Sequence, residues 1–396
     1  MTSYVLFDAD QPDIPPGPER IDPRTSGWQL AGAPNWSVQW RKLRGGLSDG
    51  VEVVDLCSGL VTVRILPTRG MGLWQATRSG HTAGWNSPVR RPVHPRHVEL
   101  GARNGLGWLD GFNELLCRCG LACNGPPGLD PGAKSPVESQ LTLHGRIANL
   151  PAHRVEVRID PTGSGRLSVI GVVEECTLFG PQLRLTSAVS VDVGGTAIHI
   201  EDRIENLGGA ETELELLYHI NVGPPFLEAG ARLAAPSAVV APRDPRAAEG
   251  IDQYDVYLGP TPGYAEQAYF FTLHADADGQ TATLLENAAG SLGFGVAFNV
   301  RELPCFTVWK CTQAREDGYV TGLEPATNFP NFKAFEREQG RVRRLPPGGV
   351  QGTRLRLDLL TTPAEVAAYA ERIATLRQGR SPLIHRAPAA GFSPVT

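Results

Sequence analysis

Apolar and polar residues alternate along most of this chain with a period of two, the pattern of strands that bury one face and expose the other. It is plain in segments 50–56, 60–66, 154–159, 167–173, 183–189 and 197–204. It continues through 212–218, 268–273, 281–285, 293–298 and 354–360. The 45 Gly and 33 Pro residues cut the sequence into short pieces, so strands recur with turn signals between them. That recurrence predicts a mainly β fold, a large antiparallel β-sandwich. One segment breaks the pattern. Residues 363–377 read as a helix, with Thr362 as N-cap, Pro363 in the first turn and Arg377 at the end, and this C-terminal helix is expected to pack on the sheets.

No composition shift or long linker divides the strands, so a single sandwich domain over residues 31–378 is expected. An N-terminal arm (1–30) and a C-terminal tail (379–396), both polar and Pro-rich, are expected at the surface. Residues 80–132 place Trp85, Trp108 and Phe112 among Gly, Pro and Asn, which suggests long structured loops building a binding face on the β scaffold.

The 37 Lys+Arg against 42 Asp+Glu give a net charge of −5, which supplies no basic field to draw nucleic acid or anionic lipid. A neutral or small polar substrate fits better. No apolar run approaches the ~20 residues of a membrane span, and the N-terminus lacks a signal-peptide pattern, so a soluble, cytoplasmic protein is expected. Seven cysteines, an odd number, with Cys57, Cys176, Cys305 and Cys311 in apolar or strand-like surroundings, suggest buried reduced thiols. Cys117, Cys119 and Cys123 do not have the spacing of a zinc knuckle, and Leu66–Gly72 lacks the Gly-Lys-Ser/Thr ending of a phosphate loop. No metal or cofactor is expected.

Two segments suggest proton chemistry. Leu323-Glu324-Pro325 puts a carboxylate at the end of an apparent strand before a proline-bounded loop, a place for a general base. Tyr218-His219 is followed by Asn221, Gly223, Pro224 and Pro225, which would set the imidazole at the mouth of the sheet. A Glu and a His meeting across a cleft would move protons. The plainer readings are an edge-strand carboxylate and a satisfied core histidine. Around them, Trp309 offers an aromatic platform and Lys310 a cation. His144-Gly145-Arg146 allows close approach of a ligand, with one of the two flanking side chains facing it. Asn113 and Arg118 carry planar forks suited to vicinal hydroxyls, and Asn221 joins the substrate-binding set. Arg118, Arg146 and Lys310 leave room for an acidic substrate.

At these residues the chain resembles the aldose 1-epimerase (galactose mutarotase-like) superfamily, and most closely its DUF4432 branch. The resemblance runs from about Ile65 to Leu360. It is carried by Arg69-Gly-Met71, the Gly111–Gly120 segment, Leu143-His-Gly145, Asp202–Asn206 with Tyr218–Asn221, Gly322-Leu-Glu-Pro325 and Leu345–Gly348. It implies the galactose mutarotase-like supersandwich, a monosaccharide or sugar-derivative substrate, His219 as general acid, Glu324 as general base and a sugar contact by His144. A homodimer is a possible assembly. The sequence departs from the superfamily after the acid His, where Asn221-Val222 replaces Phe-Asn, and the sugar-binding Asp has no assigned match among Asp244, Asp252 and Asp255. The activity implied is interconversion of anomers. Reaction at another carbon of a modified sugar and sugar binding without catalysis are the alternatives. Glycoside hydrolysis would need two opposed carboxylates.

Overall fold

The period-two segments pair into two large, mostly antiparallel sheets laid face to face. A computed structural model describes residues 1–394. Among the described residues, nine strands form one sheet and fourteen the other. The centre of the larger sheet runs Leu116–Leu121, Thr212–Val222, Val320–Ala326, Cys305–Cys311, Gln267–Leu273 and Ser237–Pro242, each hydrogen-bonded to the next. The inward-facing residues of both sheets meet in one core. Val157, Val169, Leu185, Val189 and Ile200 come from the smaller sheet, and Val63, Ile65, Leu216, Ile220 and Leu323 from the larger.

Strands of the smaller sheet keep the alternation expected of a half-exposed surface, as in Arg166–Cys176. The strand Thr212–Val222 does not: from Leu214 onward every residue is buried. Its inner face lies in the sandwich core and its outer face is roofed by loops, so polar residues on that outer face are enclosed.

A buried ion network joins the two sheets. Arg118, from the larger sheet, gives Nε and Nη2 to the Asp202 carboxylate of the smaller one at 2.5 and 2.9 Å, and both side chains are fully enclosed. Tyr218 Oη donates to Asp202 at 2.7 Å, Arg118 Nη2 reaches Ser187 Oγ at 2.8 Å, and Nη1 reaches the Met71 carbonyl at 2.8 Å. Every donor of the guanidinium fork is aimed at an oxygen, which makes such burial tolerable. Arg118, expected as a ligand for sugar hydroxyls, is therefore a bolt between sheets.

The helix Pro363–Arg377 forms as expected, with Thr362 accepting from the Glu365 N–H. Its Val366, Tyr369 and Ile373 cover Ala282, Leu284 and Ala297 on the outer face of the smaller sheet. Residues 1–30, expected as an arm, contribute Thr2–Asp8 as an edge strand, with Leu6 fully buried. In the tail, Leu383–Ile384 adds a short parallel strand beside Ser237–Pro242. All seven cysteines are free. Cys176, expected among the buried thiols, is exposed. Among the described residues no helix is long and apolar enough to cross a membrane.

Replacing Arg118 by Ala leaves Asp202 buried without its counter-charge and should cost about 3–5 kcal/mol of unfolding free energy in urea. The folded protein should keep its ligand affinity. A loss below about 1 kcal/mol would contradict the bolt, because that is the range of an exposed pair.

Candidate active site

The two central strands of the larger sheet fix the site through their register. Leu217 pairs with Ala326, Ile220 with Leu323 and Asn221 with Gly322, which sets His219 directly opposite Glu324. Directly opposed residues on one face bring their Cβ atoms to about 4.5–5.5 Å. Here His219 Nε2 lies 3.3 Å from Glu324 Oε1. The row continues on both sides, with Cys117 opposite His219, and Thr307 opposite Glu324. Both site residues were expected at strand ends. Instead the strand runs on through Pro325 to Ala326, and Pro325 still faces Phe306 on the neighbouring strand. Toward Thr212–Val222 no ladder pair forms at Tyr218 and His219, where Pro325 has no N–H to give.

Gly322 makes the contact possible. A Cβ there would stand 2.3 Å from Glu324 Oε1 and 3.2 Å from His219 Cε1. Trp309, which pairs with Gly322, brings its ring to 5.4 Å from the imidazole.

The dyad opens into a cavity of about 550 Å³ walled by Trp108, Phe112, Leu143, Trp309 and Phe332. The loop carrying Trp108 and Phe112 is held from behind by a second buried ion pair. Arg69 Nε reaches Glu114 Oε1 at 2.8 Å, Nη2 reaches the Gly111 carbonyl at 2.9 Å, and Nη1 bonds Asn149. A Cβ on Gly111 would meet that guanidinium at 2.6 Å. The Arg69 and Gly111–Glu114 motifs are thus two halves of one clamp. Phe112 then stacks edge-on to His219 at 5.0 Å, and Trp108 packs 4.7 Å from His144. His144 reaches the cavity from a turn in the left-handed region at φ 56°, at a cost of about 1–3 kcal/mol for a residue with a Cβ. Its N–H bonds the Gly125 carbonyl, which fixes it there.

Burial governs the charges. Desolvation pushes the pKa of His219 well below the ordinary 6.5, with nearby His144 adding to the fall and Asn221 opposing it. Desolvation, then the Glu266 carboxylate, push Glu324 well above 4.5, against the pull of Arg243. His144 falls to about 4 from burial alone. Both shifts move the pair toward a carboxylic acid beside a neutral imidazole, away from the charged form that a general-acid His219 implies. The pair holds one proton in either form. Five buried polar atoms around this cavity have no hydrogen-bond partner among the described residues: Trp108 Nε1, His144 Nδ1, His219 Nδ1, Thr307 Oγ1 and Glu324 Oε1.

Of the expected site residues, His219, Glu324, His144 and Trp309 meet at this cavity. Asn221 is fully buried behind His219, with Nδ2 on the Glu114 and His219 carbonyls. Lys310 points the other way, because neighbours in a strand face opposite sides. Its ammonium is spent on the Gln253 and Val256 carbonyls at 2.8 and 2.6 Å, over the Tyr257 ring. Arg146 is exposed on Thr177 beside a different cavity, and Asn113 gives its amide to the Val89 carbonyl. Trp108 and Phe112 line it from the loops expected to build a binding face, and Thr307, Arg243 and Glu266 line it without having been singled out. Thr307 had a signal, since it lies two residues before Trp309 and so on the same face.

The family model described as a domain of unknown function, DUF4432, matches residues 48–359. The chain belongs to the DUF4432 family. Among solved structures, a candidate aldose 1-epimerase from Klebsiella pneumoniae is 32% identical, with a TM-score of 0.92 over 98% of this chain and 99% of that one. A galactose mutarotase-like protein from Clostridium acetobutylicum (16% identity, TM-score 0.56, 82% and 98% covered) shares the fold. So does galactose 1-epimerase from Lactobacillus acidophilus (13%, 0.51, 81% and 98%). No curated protein matches by sequence. The DUF4432 chain thus has the galactose mutarotase-like sandwich.

Gly322→Ala should displace the Glu324 carboxylate while the strand still pairs. Thermal melting should show a folded protein, and the affinity of a ligand held in the cavity, followed by quenching of Trp108 and Trp309 fluorescence, should weaken at least tenfold. An unchanged affinity would mean that the carboxylate need not lie where the glycine lets it lie.

Proposed function

We propose that this protein interconverts the anomers of a neutral monosaccharide, with His219 and Glu324 acting as one acid–base unit. The observation that carries this reading is the face-to-face pair, 3.3 Å apart, at the floor of a cavity rimmed by unpartnered hydrogen-bonding groups. Ring opening needs one proton removed from the O1 hydroxyl and one given to the ring oxygen, and both oxygens are bonded to the same carbon. An acid and a base held side by side match that geometry.

In the proposed step, Glu324 as carboxylate takes the O1 proton while His219 as imidazolium protonates the ring oxygen. The C1–O5 bond breaks, C1 becomes a carbonyl carbon, and the pair is left as carboxylic acid and neutral imidazole. That is the form burial favours. Once the ionic form is made, a histidine with depressed pKa is a stronger acid and a carboxylate with raised pKa a stronger base, so the transfer regains what moving the proton from Glu324 to His219 cost. Rotation about C1–C2 and reversal of both transfers yield the other anomer and restore the ionic pair. Trp108 Nε1, His144 Nδ1 and Thr307 Oγ1 would serve the remaining hydroxyls. The apolar walls would cover the faces of the ring.

Charge supports a neutral substrate. Among the described residues the one Arg or Lys lining the cavity, Arg243, is matched by Asp244 at 2.8 Å and Glu266 at 2.9 Å. Trp309 Nε1 holds the other oxygen of Glu266 at 2.6 Å, so this second carboxylate is occupied on both sides and is a poor partner for glycoside hydrolysis. Arg118, Arg146 and Lys310, which had left room for an acidic sugar, all act elsewhere.

Glu324→Gln and His219→Asn should each keep the fold and lower the rate of α/β exchange, followed by NMR saturation transfer, by about 10²–10⁴-fold. Exchange at wild-type speed in both variants would end the proposal. Binding without any acceleration across an aldose panel would favour a sugar-binding role. Adding a second proton to the pair requires charging His219, and removing the last requires ionising Glu324. The acid limb of the rate should therefore lie below 6.5, the ordinary histidine value. An acid limb at or above that value would contradict the burial argument. Aldose phosphates should be poorer substrates than the parent aldoses in the same assay.

A further inference from the structure

The tail was expected to be a surface segment, yet it runs to the mouth of the catalytic cavity. We infer that residues 385–394 form a strap that walls the cavity and restricts it to free monosaccharides, excluding longer sugars presented by their reducing end. The inference rests on the reading that this cavity binds a sugar.

The strap begins at the edge of the larger sheet, where Leu383–Ile384 pairs with the Ser237–Pro242 strand and the His385 N–H bonds the Val240 carbonyl at 2.9 Å. It then crosses toward the centre. The Phe392 ring packs 5.5 Å from Phe329 and 5.8 Å from His385, and Phe329 stacks at 4.7 Å on Phe270. Phe270 faces Thr307 across the ladder, in the same row as Glu324 and His219. Two side chains grip the strap backbone. Arg341 Nη1 donates to the Gly391 carbonyl at 2.7 Å, and Asn331 Nδ2 donates to the Phe392 carbonyl at 2.8 Å.

Both grips trace back to one buried carboxylate. Glu336 is fully enclosed, holds the Arg341 guanidinium at 2.5 and 2.6 Å, and accepts from Asn331 Nδ2 at 2.8 Å. Asn331 itself lines the cavity between Pro330 and Phe332, and Pro394 of the strap stands beside them. Ser393, just before it, is buried. Anchors of this kind exceed what a solvated terminus needs. Ordering each residue costs backbone entropy, and here that cost is offset by a sheet pairing, an aromatic contact and two hydrogen bonds from side chains that are themselves fixed. Through Pro394 the ordered segment forms part of the cavity rim, so a sugar unit extending over that side would meet it.

Two variants test the strap: the chain shortened after His385, and the full-length Phe392→Ala, which loosens the strap without removing it. Dissociation constants for an aldohexose, and for disaccharides carrying that aldohexose at the reducing end, would be read from Trp108 and Trp309 fluorescence. The wild type should bind the disaccharides at least about tenfold more weakly than the monosaccharide, a difference of about 1.4 kcal/mol. Both variants should narrow that ratio to about threefold or less. If the shortened chain does not fold, Phe392→Ala decides alone. A wild type that binds both sugars equally, or variants with an unchanged ratio, would overturn the strap while leaving anomer exchange standing. A wild type that binds no sugar would fail the sugar-site reading and take the strap with it.

Discussion

The in-register pairing of Thr212–Val222 with Val320–Ala326 is the constraint on which the candidate site depends. Because side chains alternate, one choice of register decides two things together. It sends Tyr218, Ile220 and Leu323 into the sandwich core, and it sets His219 against Glu324 on the outer face. A slip of one residue would exchange the two sets, burying the ionisable pair in the core and turning the apolar residues out under the loops. The energy that keeps the core dry therefore also keeps the acid beside the base.

Two buried ion networks hold that arrangement in depth. Arg118 and Asp202 fasten the larger sheet to the smaller one directly beneath the site strand, with Tyr218 as the link. Arg69 and Glu114 fasten the loop that roofs it, and the Glu114 carbonyl accepts from Asn221, two residues past His219. The site is thus gripped from the core side and from the roof side by charges that never meet a ligand. The apolar roof in turn removes water, and loss of water shifts His219 down and Glu324 up. Fold, burial and proton affinity form one chain of causes.

Much of this was legible in the sequence. The period-two segments give the strands, Thr362-Pro363 starts the helix, and the motifs around His144, His219 and Glu324 mark the cavity. What was not legible is direction. Trp309 and Lys310 are adjacent in one strand and cannot share a face, and Arg118 stands between Cys117 and Cys119, which pack against the outer-face cluster. Alternation alone says that such neighbours diverge, but only the register of partner strands says which one turns toward the cavity. Pro325 was read as a strand end because proline cannot donate to a ladder, yet the strand runs through it on its Cys305–Cys311 side. Thr307 looked like any β-branched strand residue. Its importance comes from standing opposite Glu324, a fact of pairing rather than of composition.

The central claim is that His219 and Glu324 work as a single proton-sharing unit, and non-additivity tests it most directly. The α/β exchange rate of an accelerated aldose would be measured for Glu324→Gln, for His219→Asn and for the double variant. If the two groups form one unit, the double variant should be about as slow as the slower single variant, because losing either partner already disables both proton transfers. Losses that multiply in the double variant would mean two independent contributions, and would contradict the account.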